Sequence, residues 1–219
     1  IRGVLEAVIG HPSVHEIIVV DDGSSDKTSS TVKTLPGVKL ISYEYNRGKS
    51  YAFSRGAKVA KGELILMLDA DLHGLTQSHI TKLLEPVLTE RADVALSLRK
   101  TGFYAVPFAH QFATVDYISG ERVFPRTLIE HHIEEISKLP GYALEIFLNR
   151  LILDKKYRVE IVRWNKVVNP WKQGKWGFKT GLKRGMKMNK DMFEIVTYRE
   201  ILYQNYMLLY RAKVKRAKS

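Results

Sequence analysis

Residues 63–72 read ELILMLDADL. Residues 64–68 are uniformly apolar, with the length of a strand buried on both faces, as in the interior of a parallel sheet. The run stops at Asp69, Ala70 and Asp71. Ligands of open parallel sheets gather beyond the carboxyl ends of the strands, so acids placed there have a prior claim on function. Asp69 and Asp71 offer hard oxygen donors from one turn, a set suited to Mg²⁺ or Mn²⁺ bridging phosphate oxygens. An isolated Asp-x-Asp is also what ordinary strand ends and helix caps contain, and the motif alone does not separate the two.

Working outward, residues 16–20 (EIIVV) form a β-branched strand ending in Asp21 and Asp22, and DDGSSD supplies turn formers and helix caps. Residues 38–43 repeat the strand signal after Pro36-Gly37. NRGKSYAFSRGAKVAKG then reads as a glycine-bearing loop entering a helix that stops at Gly62. Residues 78–88 have helical spacing, and 92–98 form another strand. Strands alternating with helices predict an α/β fold with parallel pairing through crossovers. The alternation breaks after Arg99. An amphipathic helix is expected within 101–119, a helix over GYALEIFLNRLILDKK, a strand at YRVEIVRW and a terminal amphipathic helix from Met192, with Phe193, Val196, Leu202, Tyr206 and Leu209 as its stripe.

The chain of 219 residues, 45% hydrophobic, suffices for one full core. It contains no cysteine, which excludes disulfides and thiolate metal sites. No apolar run approaches the roughly 20 residues of a spanning helix. The formal charge of +12 is concentrated late: from Lys172 onward thirteen Lys or Arg face three acids, a net of +10. Such a block suits nucleic acid, an anionic membrane or a phosphorylated substrate. Two parts are expected, a catalytic domain over 1–168 and a basic, aromatic C-terminal extension over 169–219.

EIIVVDDGSSDKT, NRGKSYAFSRGAKVAKGELILMLDADL and DVALSLRKTG follow one another in the order and spacing of the family 2 glycosyltransferases, covering about 16–102. The chain resembles the branch containing dolichyl-phosphate mannose synthase and bacterial polyprenyl-phosphate glycosyltransferases. DYISGERVFPRTLI and GYALEIFLNRLILDKKYRVEIV look like its acceptor-side segments. The resemblance implies a GT-A type fold with a mostly parallel central sheet, and an inverting transfer from a UDP- or GDP-sugar with Mg²⁺ or Mn²⁺. It also implies that Asp21 and Asp22 contact the nucleoside, that Asp69, Ala70 and Asp71 serve the ribose and metal-diphosphate, and that Lys49, Arg55 and Arg99 lie near the donor.

The same resemblance places Ser119, Arg122, Lys172 and Lys175 toward the acceptor and gives Glu145 an acidic acceptor-side role. A carboxylate at Glu145 could act as base toward a hydroxyl, whereas a phosphate acceptor, already anionic, needs none. Family members normally begin with an additional strand that cradles the base. Residues 1–16 resemble the helix following that strand, so the first strand is expected to be missing from this sequence. Trp171, Trp176 and Phe178 among cations suit a membrane interface, and such interleaving also suits single-stranded nucleic acid. The expected partners are a nucleotide-sugar, a lipid phosphate and an anionic membrane on its cytoplasmic face, without nucleic acid. A soluble enzyme using a hydroxyl acceptor and a catalytically silent GT-A-like module are the other readings.

Overall fold

The computed structural model describes residues 1–99, 120–140, 143–168 and 197–214. Its elements are α1 (Arg2–Val8), β1 (Ile17–Asp22), α2 (Thr28–Lys33), β2 (Val38–Tyr43), α3 (Lys49–Val59), β3 (Leu64–Met67), α4 (Gln77–Leu88), β4 (Val94–Arg99), β5 (Arg122–Pro125), α5 (Ile133–Ser137), α6 (Ala143–Asp154), β6 (Val159–Trp164), α7 (Tyr198–Arg211) and β7 (Ala212–Val214). The helix expected within 101–119 lies outside the described residues, as do the aromatic and basic residues of 171–196.

Five strands form one sheet in the order β3-β5-β4-β6-β7. Pairing is parallel between β4 and β6 and between β6 and β7, but β5 runs antiparallel to both of its neighbours, β3 and β4. A mostly parallel sheet was expected, and β5 is its antiparallel member. RVFP escapes a periodicity search because it is four residues long and its first three residues are buried, leaving no polar–apolar alternation to read. β1 and β2 form a separate parallel pair, and no pairing joins β1 to β3 among the described residues.

Side chains alternate across the five-stranded sheet, so its two faces bury different clusters. Val94, Leu96, Phe124, Val159 and Ile161 pack with Leu144, Leu148 and Ile152 of α6. Ala95, Val123, Val162 and Trp164 pack with Val4 and Val8 of α1 and Ile80, Leu83 and Leu84 of α4. Helix α4 begins at a reciprocal cap in which the Thr76 hydroxyl and backbone amide both meet His79 Nδ1, at 2.8 and 3.2 Å. His79 Nε2 in turn meets the Asn165 carbonyl at 3.1 Å, tying the helix start to the end of β6.

The terminal helix departs from the expected stripe. Gln204 and Leu208 of α7 are buried, Leu208 within the cluster that includes α6, whereas Leu202 and Tyr206 are exposed. Selecting the most hydrophobic spacing misplaces the helix because tyrosine serves either face, its ring apolar and its hydroxyl polar. After α7 the chain returns to the sheet, with Ala212 opposite Val159.

Candidate active site

Two turns at strand ends and one helix N-terminus build the site. The first turn follows β1. Asp21 is buried and accepts hydrogen bonds from the Ser24 amide at 3.0 Å and from the Ser29 hydroxyl. Burial alone would raise its pKa, but the bonds from Ser24 and Ser29 outweigh that and hold it below the ordinary aspartate value. Gly23 follows at φ +75°, where a Cβ would lie 2.7 Å from the Asn46 nitrogen, so this turn requires glycine.

Asp22 faces the loop that precedes α3. Both of its carboxylate oxygens accept from the Arg47 amide at 3.0 Å, and one accepts from the Gly48 amide at 2.7 Å. An anion thus sits on the orphan amides of a helix start, where the macrodipole also favours it. The Arg47 side chain is held as well: it donates to the Tyr51 hydroxyl at 2.9 Å and its guanidinium lies 4.9 Å from the Tyr51 ring centroid. Arg55 donates to the Tyr43 hydroxyl at 3.0 Å, and no described contact joins it to the charged group at Asp69.

With that loop fixed, Lys49 at the first turn of α3 projects onto the second strand-end turn. Its ammonium lies 2.7 Å from Asp69 Oδ1 and 2.6 Å from Glu145 Oε1. Burial works against the charge of Lys49, but the Glu145 and Asp69 carboxylates overcome it and hold the ammonium well above the usual lysine range. Glu145 is only 2% exposed, on the first turn of α6. Behind it Arg122 is fully buried and donates to Asn149 Oδ1 at 3.1 Å. Burial pulls the Arg122 pKa down, against the opposing charges of Glu145, Glu121 and Asp69. Glu121 is itself buried and accepts from the Ser97 hydroxyl at 2.9 Å.

Gly120 closes the back of this cluster. A Cβ there would stand 2.5 Å from Asp69 Oδ1 and 2.8 Å from Oδ2, so the backbone at 120 abuts the Asp69 carboxylate. Asp71, beyond the exposed Ala70, lines a cleft of about 490 Å³ between α1 and the 71–77 loop. Asp69 and Asp71 supply two hard oxygen donors from one turn, with Asp69 braced by Gly120, and this set fits a divalent cation of the Mg²⁺ or Mn²⁺ type. No group of three or more acidic or imidazole side chains gathers as a ready-made metal cage among the described residues. A cation held here would therefore take its remaining ligands from a phosphate or water, as Mg²⁺ commonly does.

The structure brings together Asp69, Lys49, Glu145 and Arg122 of the residues expected from sequence. It places Asp21 and Asp22 in the adjoining β1 turn, sets Arg55 apart and ends β4 at Arg99. Ser119, Lys172 and Lys175 lie outside the described residues. Arg122, expected toward the acceptor, is at 0% exposure and bonded to Asn149. Gly120, Glu121 and Asn149 were not singled out from sequence. Asn149 left a signal, since it lies one turn after Glu145 on the same helix face, and between Ala143 and Leu153 only these two and Arg150 are polar.

Residues 1–189 match the sequence profile of the family described as Glycosyl transferase family 2. The chain belongs to glycosyl transferase family 2. Among curated relatives, a dolichyl-phosphate beta-glucosyltransferase of Trichomonas vaginalis is 45% identical over 60 residues, 26% of this chain and 19% of the relative. An undecaprenyl-phosphate 4-deoxy-4-formamido-L-arabinose transferase of Aeromonas hydrophila is 33% identical over 91 residues, 39% of this chain and 27% of the relative. The chain thus matches only about a fifth to a quarter of the length of these relatives. Glucosyl-3-phosphoglycerate synthase from Mycobacterium tuberculosis, solved with Mn²⁺, uridine diphosphate and phosphoglyceric acid, shares the fold. Its TM-score is 0.67 at 21% identity, covering 94% of this chain and 73% of that one. The α/β architecture of this family 2 chain is accordingly the GT-A type expected from its motifs.

Proposed function

We propose that the chain transfers a sugar from a nucleotide-sugar to a polyprenyl phosphate, with inversion at the anomeric carbon and with Asp69 and Asp71 holding a divalent cation. The observation that carries this is the convergence of Asp69, Lys49 and Glu145 at the end of β3 in a family 2 chain. The relatives named for dolichyl and undecaprenyl phosphate support the acceptor class. When bound, the cation neutralises charge on the departing diphosphate. Lys49 supplies a further positive charge at the same point and is aimed by Glu145. An acceptor phosphate oxygen forms the new bond to the anomeric carbon as the bond to the diphosphate oxygen breaks. The bonding pair leaves with the diphosphate, and no base is required because the acceptor is already anionic. Glu145 then serves to position Lys49. The β1 turn, shaped by Asp21 and Asp22, forms the nucleoside side of the donor site.

The acceptor is a lipid, so the protein must meet a membrane, and no described helix is long and apolar enough to cross one. α7 exposes Tyr203, Tyr206 at 64% and Tyr210 at 77%, and the last two rings stack at 6.3 Å. Amphipathic rings beside a basic terminus suit the headgroup layer of an anionic cytoplasmic leaflet, where each cation contributes roughly 1 kcal/mol. The test is transfer from a panel of UDP- and GDP-sugars to polyprenyl phosphate in liposomes, with and without chelator. Metal-dependent sugar-lipid formation is expected. Transfer only to a soluble hydroxyl acceptor, or no transfer with any donor, overturns the assignment.

A further inference from the structure

The cation already at Asp69 is part of the protein. Lys49 places its ammonium 2.7 Å from the carboxylate proposed to hold the metal, and the same ammonium is anchored 2.6 Å from Glu145. The two anchors differ. Glu145 is 2% exposed, backed by the Arg122 charge and fixed on the first turn of α6, whereas Asp69 is 20% exposed and sits on a turn. The Lys49 side chain is itself 36% exposed, and its flexible stem can move the ammonium while α3 stays in place. The backbone below it cannot shift cheaply, because Asp22 holds the amides of Arg47 and Gly48.

We infer that Lys49 is a resident counter-ion that occupies Asp69 until a nucleoside diphosphate arrives, and that it makes metal binding conditional on the diphosphate. A dication approaching Asp69 alone meets a competing ammonium for the same oxygen and a like charge beside it. A diphosphate reverses the balance, because its oxygens attract both cations at once. Lys49 then leaves Asp69, keeps its hold on Glu145 and turns its ammonium to the phosphate. The role of Glu145 is to retain Lys49 during the exchange. The inference rests on the proposed metal role of Asp69, and it adds that the vacant-donor state resists the metal. A coupling of this kind is reciprocal: Mn²⁺ must strengthen binding of the diphosphate by the same factor by which the diphosphate strengthens binding of Mn²⁺.

The experiment is titration of Mn²⁺ into the full chain, followed by electron paramagnetic resonance of the free ion, without and with saturating UDP or GDP. Lys49→Met should bind Mn²⁺ alone about 10-fold more tightly than wild type, and about 10-fold more weakly once the diphosphate is present. That reversal of order is not produced by a lysine that only supports the fold. The paired variant Lys49→Met/Glu145→Gln avoids stranding a buried carboxylate, and it should show the same loss of coupling with a thermal transition near that of wild type. Equal affinity of wild type and both variants for Mn²⁺ alone overturns the counter-ion role while leaving the metal site standing. Absence of Mn²⁺ binding to any of the proteins, even with nucleotide, overturns the metal role of Asp69 and the inference with it.

Discussion

β1 and β3 both end in a pair of acids, yet the two pairs are employed differently. Asp21 and Asp22 accept hydrogen bonds from the backbone amides of Ser24, Arg47 and Gly48 and from the Ser29 hydroxyl. These partners belong to the chain and have fixed positions, so the carboxylates hold a loop in shape. Asp69 instead faces the Lys49 ammonium, which the proposed metal would displace. A carboxylate satisfied by amides acts as a structural pin, whereas one satisfied by a mobile charge stays exchangeable. The first pair shapes the loop that delivers Lys49, and Asp69 of the second receives it.

Substitutions at each pair should break this contrast in different observables. The largest effect is expected at the β3 turn. Asp71→Asn, which removes charge without changing shape, should lower metal-dependent turnover at least about 100-fold with an unchanged thermal transition. Near-normal turnover would contradict the metal assignment. Gly120→Ala adds a carbon 2.5 Å from Asp69 Oδ1 and should cost about 1–3 kcal/mol in urea unfolding together with a fall in turnover.

At the β1 turn the effects should appear in stability first. Asp22→Ala removes the acceptor for the Arg47 and Gly48 amides and should cost about 0.5–2 kcal/mol, measured by chemical denaturation. Asp21 has a pKa depressed below 3.8 in the folded chain, so its contribution is fully present above that value and is lost as pH falls through the lower folded pKa. Asp21→Asn should therefore shallow the acid limb of the stability curve below about pH 4. A limb of unchanged slope would exclude the linkage.

The smallest change in stability is expected far from both turns. Tyr206→Ala on the exposed face of α7 should alter unfolding by less than about 0.5 kcal/mol, yet reduce sedimentation with anionic liposomes at low salt. Retention of liposome binding would shift the membrane contact to another surface.

ELILMLDADL was sufficient for a strand followed by two acids, because an apolar run and its polar stop are local properties of composition. Its expected burial on both faces was not borne out, since Leu64, Ile65 and Leu66 are only partly buried and β3 pairs antiparallel with β5 at the edge of the described sheet. The glycine-bearing loop before Lys49 and the helix carrying Glu145 were likewise legible from spacing. β5 was not, since three buried residues carry no periodicity, and its antiparallel insertion between β3 and β4 depends on pairing with both. Nor could sequence separate the duties of the two acid pairs. Asp21, Asp22, Asp69 and Asp71 are one residue type, each at or just beyond the end of an apolar run, and sequence does not show what lies opposite each carboxylate. Lys49 and Glu145 are 96 positions apart, and their 2.6 Å contact exists because α3 and α6 converge at the end of β3. The sequence by itself determined which side chains could bear charge at the strand ends. Only the tertiary structure decided which charges neutralise one another, because electrostatic pairing depends on distance and burial, and both are properties of the packed chain.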